Sequence, residues 1–328
     1  MRTTLLRWSC KNYSFWNLPC YACGSCLGWR ILSCSKRSNS FIANVICLKC
    51  NAKQFLKRNR SLKTESNAVL SEYQMLRKLD GGIRVGYPFL LPRAYNYSAE
   101  NYSFSREFVE GESIDERLLR SENRQSFEDC LSASATWLRG LHEAPIAHLC
   151  SQGSDYLTML RQLELDLGFL INSTPTVVLA LGFMQSTLNK INKLTERHVP
   201  LHGDFKASNL IITSDGRVYG IDFSPRFNNP SAMDIAQFVV DLLLKRHQIK
   251  VLTRDIGIAD IFDIFLKAYY GNLSQKNKYP ITWWLLYFLF SHWKNELRSH
   301  KPKFLVNRYY MSILADIMAF CSNNLDYQ

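Results

Sequence analysis

The chain has 328 residues, of which 47% are hydrophobic and 21% are charged, a composition typical of a globular protein with room for two cores. Its longest strongly apolar run, residues 281–290, has ten residues and is too short to cross a membrane as a helix. The net charge of +12 comes from residues 1–64, which carry 12 basic and no acidic side chains, because the other 28 basic residues balance 28 acidic ones.

This basic start is typical of a solvated face, and we expect at most a weak attraction to anionic surfaces. We expect residues 1–50 to belong to the fold rather than to a removable targeting segment. No nucleic-acid partner is expected. Many thiols without an export signal favour a reducing, cytoplasmic location.

Seven of the ten cysteines lie in residues 1–50. Cys20 and Cys23, like Cys47 and Cys50, have the C-x-x-C spacing of zinc knuckles, although the gap between the pairs is longer than usual. A strand places residues three apart on opposite faces, so a strand continuing through Cys47 prevents its pair from sharing a metal. We therefore favour buried thiols, with zinc as the alternative.

Three elements are predicted in the next part of the chain. Residues 41–49 predict a β-branched strand that ends in Lys49. Residues 65–79 predict an amphipathic helix, and Glu72 lies at the edge of its apolar stripe, where a carboxylate needs a cationic partner. Residues 102–109 predict a further strand.

Helices dominate the rest of the chain. Apolar periodicity predicts helices over 126–142, 155–171 and 178–197, and helical structure from about residue 253 onward. The tryptophan pair at 283–284 is typical of a helical core.

Between these helices lies the most informative segment, residues 200–222. Asp204 and Asn209 stand five residues apart, and a short apolar strand then leads to the turn Ser214-Asp215-Gly216. A second strand returns and ends at Asp222, so the hairpin brings the second acid next to Asn209. One carboxylate to orient a hydroxyl, with an Asn and an Asp to hold Mg²⁺, is the set of groups that phosphoryl transfer requires.

Three linked motifs carry a family resemblance: His202-Gly203-Asp204 with Asn209, Ile221-Asp222-Phe223, and Pro230 followed by Asp234-Ile235-Ala236. In this order they resemble the aminoglycoside phosphotransferase and choline kinase group of the protein-kinase-like superfamily. The resemblance implies an α+β, bilobal protein-kinase-like fold. It implies a small β-rich N-lobe over residues 1–107 and a mostly helical C-lobe over 108–328.

The resemblance also implies roles around the catalytic loop, residues 200–212. Asp204 is the catalytic base, and Asn209 and Asp222 bind Mg²⁺. His202 braces the loop, and Lys206 stabilises the charge of the transferring phosphoryl group. The buried acid that ties the loop down is Asp234.

On the nucleotide side, the resemblance implies that Lys49 binds the ATP phosphates and pairs with Glu72, with Glu65 as the alternative partner. Residues 24–28, with two glycines, fall where a phosphate-covering turn is expected.

The resemblance also implies a hinge that holds adenine through the backbone C=O of Glu107 and the backbone N–H of Val109. Ile212 and Ile221 alternate so that they face the adenine, and a place in the hairpin core suits them equally well.

We therefore expect an ATP- and Mg²⁺-dependent kinase that phosphorylates a hydroxyl of a small molecule such as a sugar, amino sugar or amino alcohol. Lys206 leaves a serine/threonine protein kinase as one alternative, because protein kinases carry lysine at this position. The Phe223-Ser224 that follows Asp222 departs from the protein-kinase D-F-G and favours a small-molecule kinase. A nucleotide-binding pseudokinase scaffold is the other alternative, and the intact Asp204, Asn209 and Asp222 argue against it.

Overall fold

The structure is a computed structural model, and it describes residues 18–25, 28–36, 40–59, 68–80, 89–144, 155–171, 174–193, 198–224, 226–253, 256–271 and 275–325. The contacts of the chain divide it into two units. The first unit comprises Met1–Gly111, Ala144–Ile146 and Ile211–Pro225, and the second unit comprises the rest. The hairpin segment Ile211–Pro225, assigned from the sequence to the C-lobe, therefore belongs to the first unit.

Within the described residues, the first unit contains a five-stranded antiparallel sheet in the order β1-β2-β3-β5-β4. A 13-residue helix, α1, packs against β3, β4 and β5. The bounds of these elements are β1 Trp29–Lys36, β2 Ser40–Cys47, β3 Lys53–Asn59, α1 Ala68–Asp80, β4 Ala94–Ser98 and β5 Ser103–Glu107.

The first unit buries apolar residues of the sheet and of its helix. On one face Leu18 packs with Ala43, Val45 and Leu56. Elsewhere in the first unit, α1 buries Val69, Met75, Leu76 and Leu79, all at most 1% exposed. Burial of such side chains stabilises a fold by roughly 1.5–3 kcal/mol each.

The predicted hairpin is formed by β8, Leu210–Ile212, and β9, Val218–Gly220. Its turn closes with a hydrogen bond from the Thr213 N–H to the Arg217 carbonyl oxygen at 2.9 Å. Gly216 has φ +81°, a left-handed conformation that glycine adopts without strain.

The second unit is mostly helical. Its short strands are β6, Glu112–Ser113, and the antiparallel pair β7, His198–Leu201, and β10, Arg226–Pro230. Its helices are α2 Ile114–Arg120, α3 Arg124–Glu143, α4 Tyr156–Ile171, α5 Pro175–Asn192, α6 Ala232–Leu244, α7 Ile258–Tyr270, α8 Gln275–Leu297 and α9 Lys303–Asn324.

Helix α6 lies in the core of the second unit, packed against α7 and α8, and Phe238 on α6 contacts both Phe205 and Phe265. Because α6 is buried on nearly all sides, a polar side chain on it needs an internal partner. Among the described residues, no helix has the length and apolar character needed to cross a membrane.

Candidate active site

Asp234 fixes the loop that follows β7. It lies in the first turn of α6 and is 1% exposed, and its two carboxylate oxygens accept the His202 N–H at 2.7 Å and the Gly203 N–H at 3.0 Å. Gly203 has φ +78°, so the bend of the loop requires a residue without a Cβ.

A histidine completes the environment of Asp234. His142 Nε2 lies 3.2 Å from Asp234 Oδ2, and its Nδ1 lies 2.6 Å from the Tyr269 hydroxyl. Asp234 therefore has partners from α3 and from the loop, which is how a protein retains a buried carboxylate.

We expect Asp234→Asn to destabilise the protein by about 1–3 kcal/mol, because one carboxylate oxygen becomes an NH₂ group aimed at a backbone N–H. Urea unfolding of both proteins measures the difference in the free energy of unfolding. Asp263→Asn is the matched control, since Asp263 is 61% exposed. Equal stability of the Asp234 variant and the wild type would contradict this role for Asp234.

Asp204 presents a half-exposed carboxylate held by three side-chain donors. Its Oδ2 accepts hydrogen bonds from Asn209 Nδ2 at 3.0 Å and contacts Lys206 Nζ at 2.8 Å. Its Oδ1 accepts from Gln237 Nε2 at 3.3 Å. A carboxylate oriented in this way, and still reached by solvent, can accept a proton from a bound hydroxyl.

Asn209 is positioned by the same loop. The 3₁₀ turn Ala207–Asn209 buries it, and its Nδ2 also donates to the Asp204 backbone oxygen at 2.8 Å. Because the NH₂ group is turned toward Asp204, the side-chain oxygen is the atom that can serve as a cation ligand.

His202 is fully buried, and its Nδ1 accepts the Asp204 N–H at 3.3 Å. Its ring stands edge-on to Trp137 and Phe205. These contacts suit the bracing role and not proton exchange with a ligand.

Two further residues near Asp204 were not predicted. Gln237 lies three residues after Asp234 on α6. This spacing places both side chains on one face of the helix, and it is the sequence signal that indicates Gln237 as a neighbour of the loop. The second residue is His292 on α8. Desolvation lowers its pKa, the charges of Asp241 and Asp204 act to raise it, and the charge of Lys206 acts to lower it. No sequence signal links His292 to the loop.

In the first unit, Lys57 on β3 joins two carboxylates. Its Nζ lies 2.6 Å from Glu72 Oε2 on α1 and 3.1 Å from Asp222 Oδ1, and Glu72 is 1% exposed. Burial acts to lower the pKa of Lys57, but the charges of Glu72 and Asp222 outweigh it and raise the pKa. Burial raises the pKa of Glu72 against the charge of Lys57, and Glu72 Oε2 accepts a hydrogen bond from Lys57 Nζ.

The structure places Lys49 elsewhere. Strand β2 ends at Cys47, and Lys49 lies exposed in the turn that leads to β3. The predicted pairing of Lys49 with Glu72 is therefore wrong, since Lys57 on the following strand occupies that position. Residues 24–28 likewise precede β1, so they do not connect the first two strands.

Asp222 follows β9 with φ +59°, a left-handed conformation that is uncommon for a residue with a Cβ. Such strained residues cluster at functional sites, and the contact with Lys57 fixes the carboxylate here. Ile212 on β8 and Ile221 next to Asp222 are both half-buried.

The predicted hinge begins where β5 ends at Glu107, and Val109 is half-buried two residues later. The carbonyl oxygen of Glu107 accepts a hydrogen bond from Arg106 Nη1 at 3.3 Å. Arg106 is buried and its guanidinium stacks 3.8 Å from the centre of the Phe55 ring. Burial lowers the pKa of Arg106, while Asp222 and Glu72 act to raise it.

Gly111, at the end of the hinge, lies against the backbone of Ile212, and a Cβ at this position would overlap the Ile212 carbonyl oxygen. The close approach explains the glycine. The adenine contacts of Glu107 and Val109 remain predictions.

No protein-family model and no curated protein matches this sequence. Solved structures do match. An ethanolamine kinase from Plasmodium vivax has a TM-score of 0.56 and 15% identity, covering 88% of this chain and 81% of that chain. Choline kinase from Streptococcus pneumoniae has a TM-score of 0.55 and 13% identity, covering 88% and 94%.

An amicoumacin kinase in complex with AMP-PNP and Ca²⁺ has a TM-score of 0.57 and 13% identity, covering 87% of this chain and 88% of that chain. At such low identities the likeness establishes the fold. The predicted α+β protein-kinase-like fold, in the form found in choline kinases and aminoglycoside phosphotransferases, is confirmed.

Proposed function

We propose that this protein transfers the γ-phosphoryl group of ATP to a hydroxyl of a small molecule, with Mg²⁺ bound to the nucleotide. The observation that carries the proposal is the half-exposed Asp204 carboxylate, oriented by Asn209, Lys206 and Gln237 on a loop that the buried Asp234 holds. The structural likeness to ethanolamine, choline and amicoumacin kinases supports it.

In the proposed reaction, Asp204 accepts the hydroxyl proton of the acceptor as that oxygen bonds to the γ-phosphorus and the bond to the β-phosphate oxygen breaks. Lys206 offers its positive charge next to Asp204 to the transferring phosphoryl group. Lys57, protonated and anchored by Glu72, binds phosphate oxygens of the nucleotide in place of Lys49.

The two residues proposed to bind magnesium each carry an oxygen ligand. Asn209 offers an amide oxygen and Asp222 a carboxylate, the oxygen ligands that Mg²⁺ prefers, and each is fixed within its own unit by Asp204 and Lys57 respectively. Bound Mg²⁺ neutralises phosphate charge, which makes the phosphorus open to attack.

The acceptor is proposed to be an alcohol that also carries an amine. The matched structures include ethanolamine, choline and amicoumacin kinases. The carboxylates of Asp204 and Asp241 each pair with a lysine, Lys206 and Lys245, so the proposal of a cationic acceptor rests on the matched structures.

The test is a phosphorylation screen with the purified full-length protein, Mg²⁺ and ATP. Amino alcohols, amino sugars and neutral sugars are supplied one at a time, and ADP release and the phosphorylated product are measured by mass spectrometry. We expect turnover with at least one amino alcohol or amino sugar that depends on Asp204. ATP hydrolysis alone, or no turnover with any acceptor, contradicts the proposal.

A serine/threonine protein kinase is the second candidate, because Lys206 lies 2.8 Å from Asp204. Adding a mixed peptide library to the same screen separates the two functions. Phosphopeptides without any phosphorylated small molecule would favour the protein kinase.

We expect Asp222→Asn and Asn209→Ala each to weaken Mg²⁺-dependent binding of ATP, because the first removes the negative charge of one proposed ligand and the second removes the oxygen of the other. Isothermal titration of Mg-ATP and of ATP without metal measures the dependence. Asp215→Asn is the matched control on the same hairpin, since Asp215 is 52% exposed and pairs with Arg217. Unchanged metal dependence in both variants would remove these residues from the proposed magnesium site.

A further inference from the structure

The structure brings four free cysteines together at the edge of the first unit. The Sγ atoms of Cys20, Cys23, Cys47 and Cys50 all lie within 4.8 Å of one another. Cys20 Sγ is 3.6 Å from Cys50 Sγ, and Cys23 Sγ is 3.7 Å from Cys47 Sγ. A tetrahedral zinc ion with Zn–S bonds of about 2.3 Å separates its sulfurs by roughly 3.8 Å, so these distances match a ligand set.

The strand pattern predicts that Cys47 and Cys50 lie on opposite faces of one strand, and the structure differs here. Strand β2 ends at Cys47, and residues 48–50 form a turn. Cys47 and Cys50 therefore lie on one side of that turn and not on opposite faces of a strand.

The two C-x-x-C segments adopt the same backbone turn. In each, the residue after the second cysteine is left-handed, with φ +66° at Gly24 and +59° at Asn51. In each, that residue's N–H bonds to the carbonyl oxygen of the first cysteine, at 2.8 Å for Gly24 to Cys20 and 3.0 Å for Asn51 to Cys47. The first cysteine in turn donates its N–H to a residue five positions on, Ser25 or Ala52, at 3.0 Å in both turns.

Backbone N–H groups also bond to the sulfurs in a repeated pattern. The first cysteine of each turn accepts from the two residues two and three positions on, and the second accepts from the residue two positions on. The donors are Ala22 and Cys23 to Cys20, Ser25 to Cys23, Lys49 and Cys50 to Cys47, and Ala52 to Cys50. Both turns therefore surround their sulfurs with backbone donors in the same way.

We propose that Cys20, Cys23, Cys47 and Cys50 bind one zinc ion in a tetrahedral site. Four protein ligands close the coordination shell, so the ion is structural and not catalytic. Packing of the cysteines as small apolar residues does not account for the cluster, because Cys50 is exposed and Cys23 is half-buried.

The site ties the start of the described chain to the sheet. Around Cys20, Leu18 packs into the sheet core, the Pro19 carbonyl oxygen accepts from Asn96 Nδ2 at 3.1 Å, and Tyr21 stacks on Tyr95 with ring centres 4.0 Å apart. The other two cysteines belong to the β2–β3 turn. Zinc thus links the non-helical, non-strand segment around Cys20 to strands β2 and β3. Structural metals stabilise small folds in the same way.

The proposed site is separate from the lysine that contacts Glu72. Lys53, which pairs with Ile46 next to Cys47, is four residues before Lys57 on β3, a distance of about 13 Å along the strand. Zinc therefore contributes to the architecture of the first unit and not to the proposed phosphoryl transfer.

The test uses the purified full-length protein, prepared without added metal or chelator, and metal analysis by mass spectrometry. We expect about one zinc per chain, released when a mercurial reagent modifies the thiols. Cys50→Ser, a change at an exposed position, should lose most of this zinc, and Cys130→Ala, a thiol on α3, should retain it.

A cobalt-loaded sample should show the intense visible absorption of a tetrahedral tetrathiolate. The proposal is overturned by protein without metal, by protein with these cysteines in two disulfides, or by zinc that remains after Cys50→Ser. Iron in place of zinc would also overturn it, because it is the other metal that a four-thiolate site selects.

Discussion

The Asp204→Asn variant is expected to lose phosphoryl transfer by about 10²–10⁴-fold while binding nucleotide as the wild type does. Asparagine keeps the size of the side chain, but it retains only one of the two acceptor oxygens that Asn209 and Gln237 contact, and it does not accept a proton at neutral pH. Steady-state kinetics with the best acceptor from the screen gives kcat, and isothermal titration gives the ATP affinity.

Asp263→Asn serves as the control here as well, because it removes an exposed carboxylate of the same unit. Full turnover in the Asp204 variant would exclude this residue as the base. Loss of ATP binding together with turnover would instead assign Asp204 a role in the nucleotide site.

The second large effect is expected at Lys57. We expect Lys57→Met to lower kcat/KM by roughly 10²–10³-fold, because it removes a charge proposed to hold the phosphates. Lys49→Met is the matched control, since the structure places Lys49 in the exposed β2–β3 turn, and it should retain activity. The same kinetics measures both variants.

Removal of Lys57 leaves the buried Glu72 carboxylate without its 2.6 Å partner, which alone can destabilise the fold. The double variant Lys57→Met, Glu72→Gln removes both charges and separates activity from stability. An active Lys57→Met protein, or an inactive Lys49→Met protein, would show that the wrong lysine has been assigned.

The loop that carries Asp204 is predictable from the sequence because its signals are local. The spacing of Asp204 and Asn209, the Ser214–Gly216 turn and the acid at Asp222 are all fixed by a few neighbouring residues. The structure contains the predicted hairpin. It also shows that Asp234, which the family resemblance implies is the buried acid of the loop, accepts hydrogen bonds from the backbone N–H groups of His202 and Gly203.

Apolar character alone places the lysine that pairs with Glu72 on the wrong strand. Residues 41–49 have the strongest strand pattern, but they form β2, whereas β3 reads Lys-Gln-Phe-Leu-Lys-Arg-Asn with three basic residues in seven. Strand β3 is polar in part because its Lys57 forms ion pairs with two carboxylates that lie far away in the sequence. Such long-range pairing cannot be predicted from neighbouring residues. The apolar pair Phe55-Leu56 before Lys57 is only a weak indication of a strand.

The strand pattern also argues wrongly against a cluster of the four cysteines. Periodicity predicts which face a residue occupies only while the strand lasts, and β2 ends two residues earlier than the pattern predicts. The end is set by the turn at Asn51, whose left-handed backbone asparagine tolerates better than most residues. A C-x-x-C followed by Gly or Asn is the sequence signal that would have weighed in favour of zinc.

The most direct test of the proposed function follows the γ-phosphate itself. ATP carrying a radiolabelled γ-phosphate is incubated with the full-length protein, Mg²⁺ and an amino-alcohol or amino-sugar acceptor, and the label is located by chromatography. We predict that the label moves to the acceptor with the wild type and that transfer drops by about 10²–10⁴-fold with Asp204→Asn. Label found only as inorganic phosphate, or transferred equally by both proteins, would contradict the assignment.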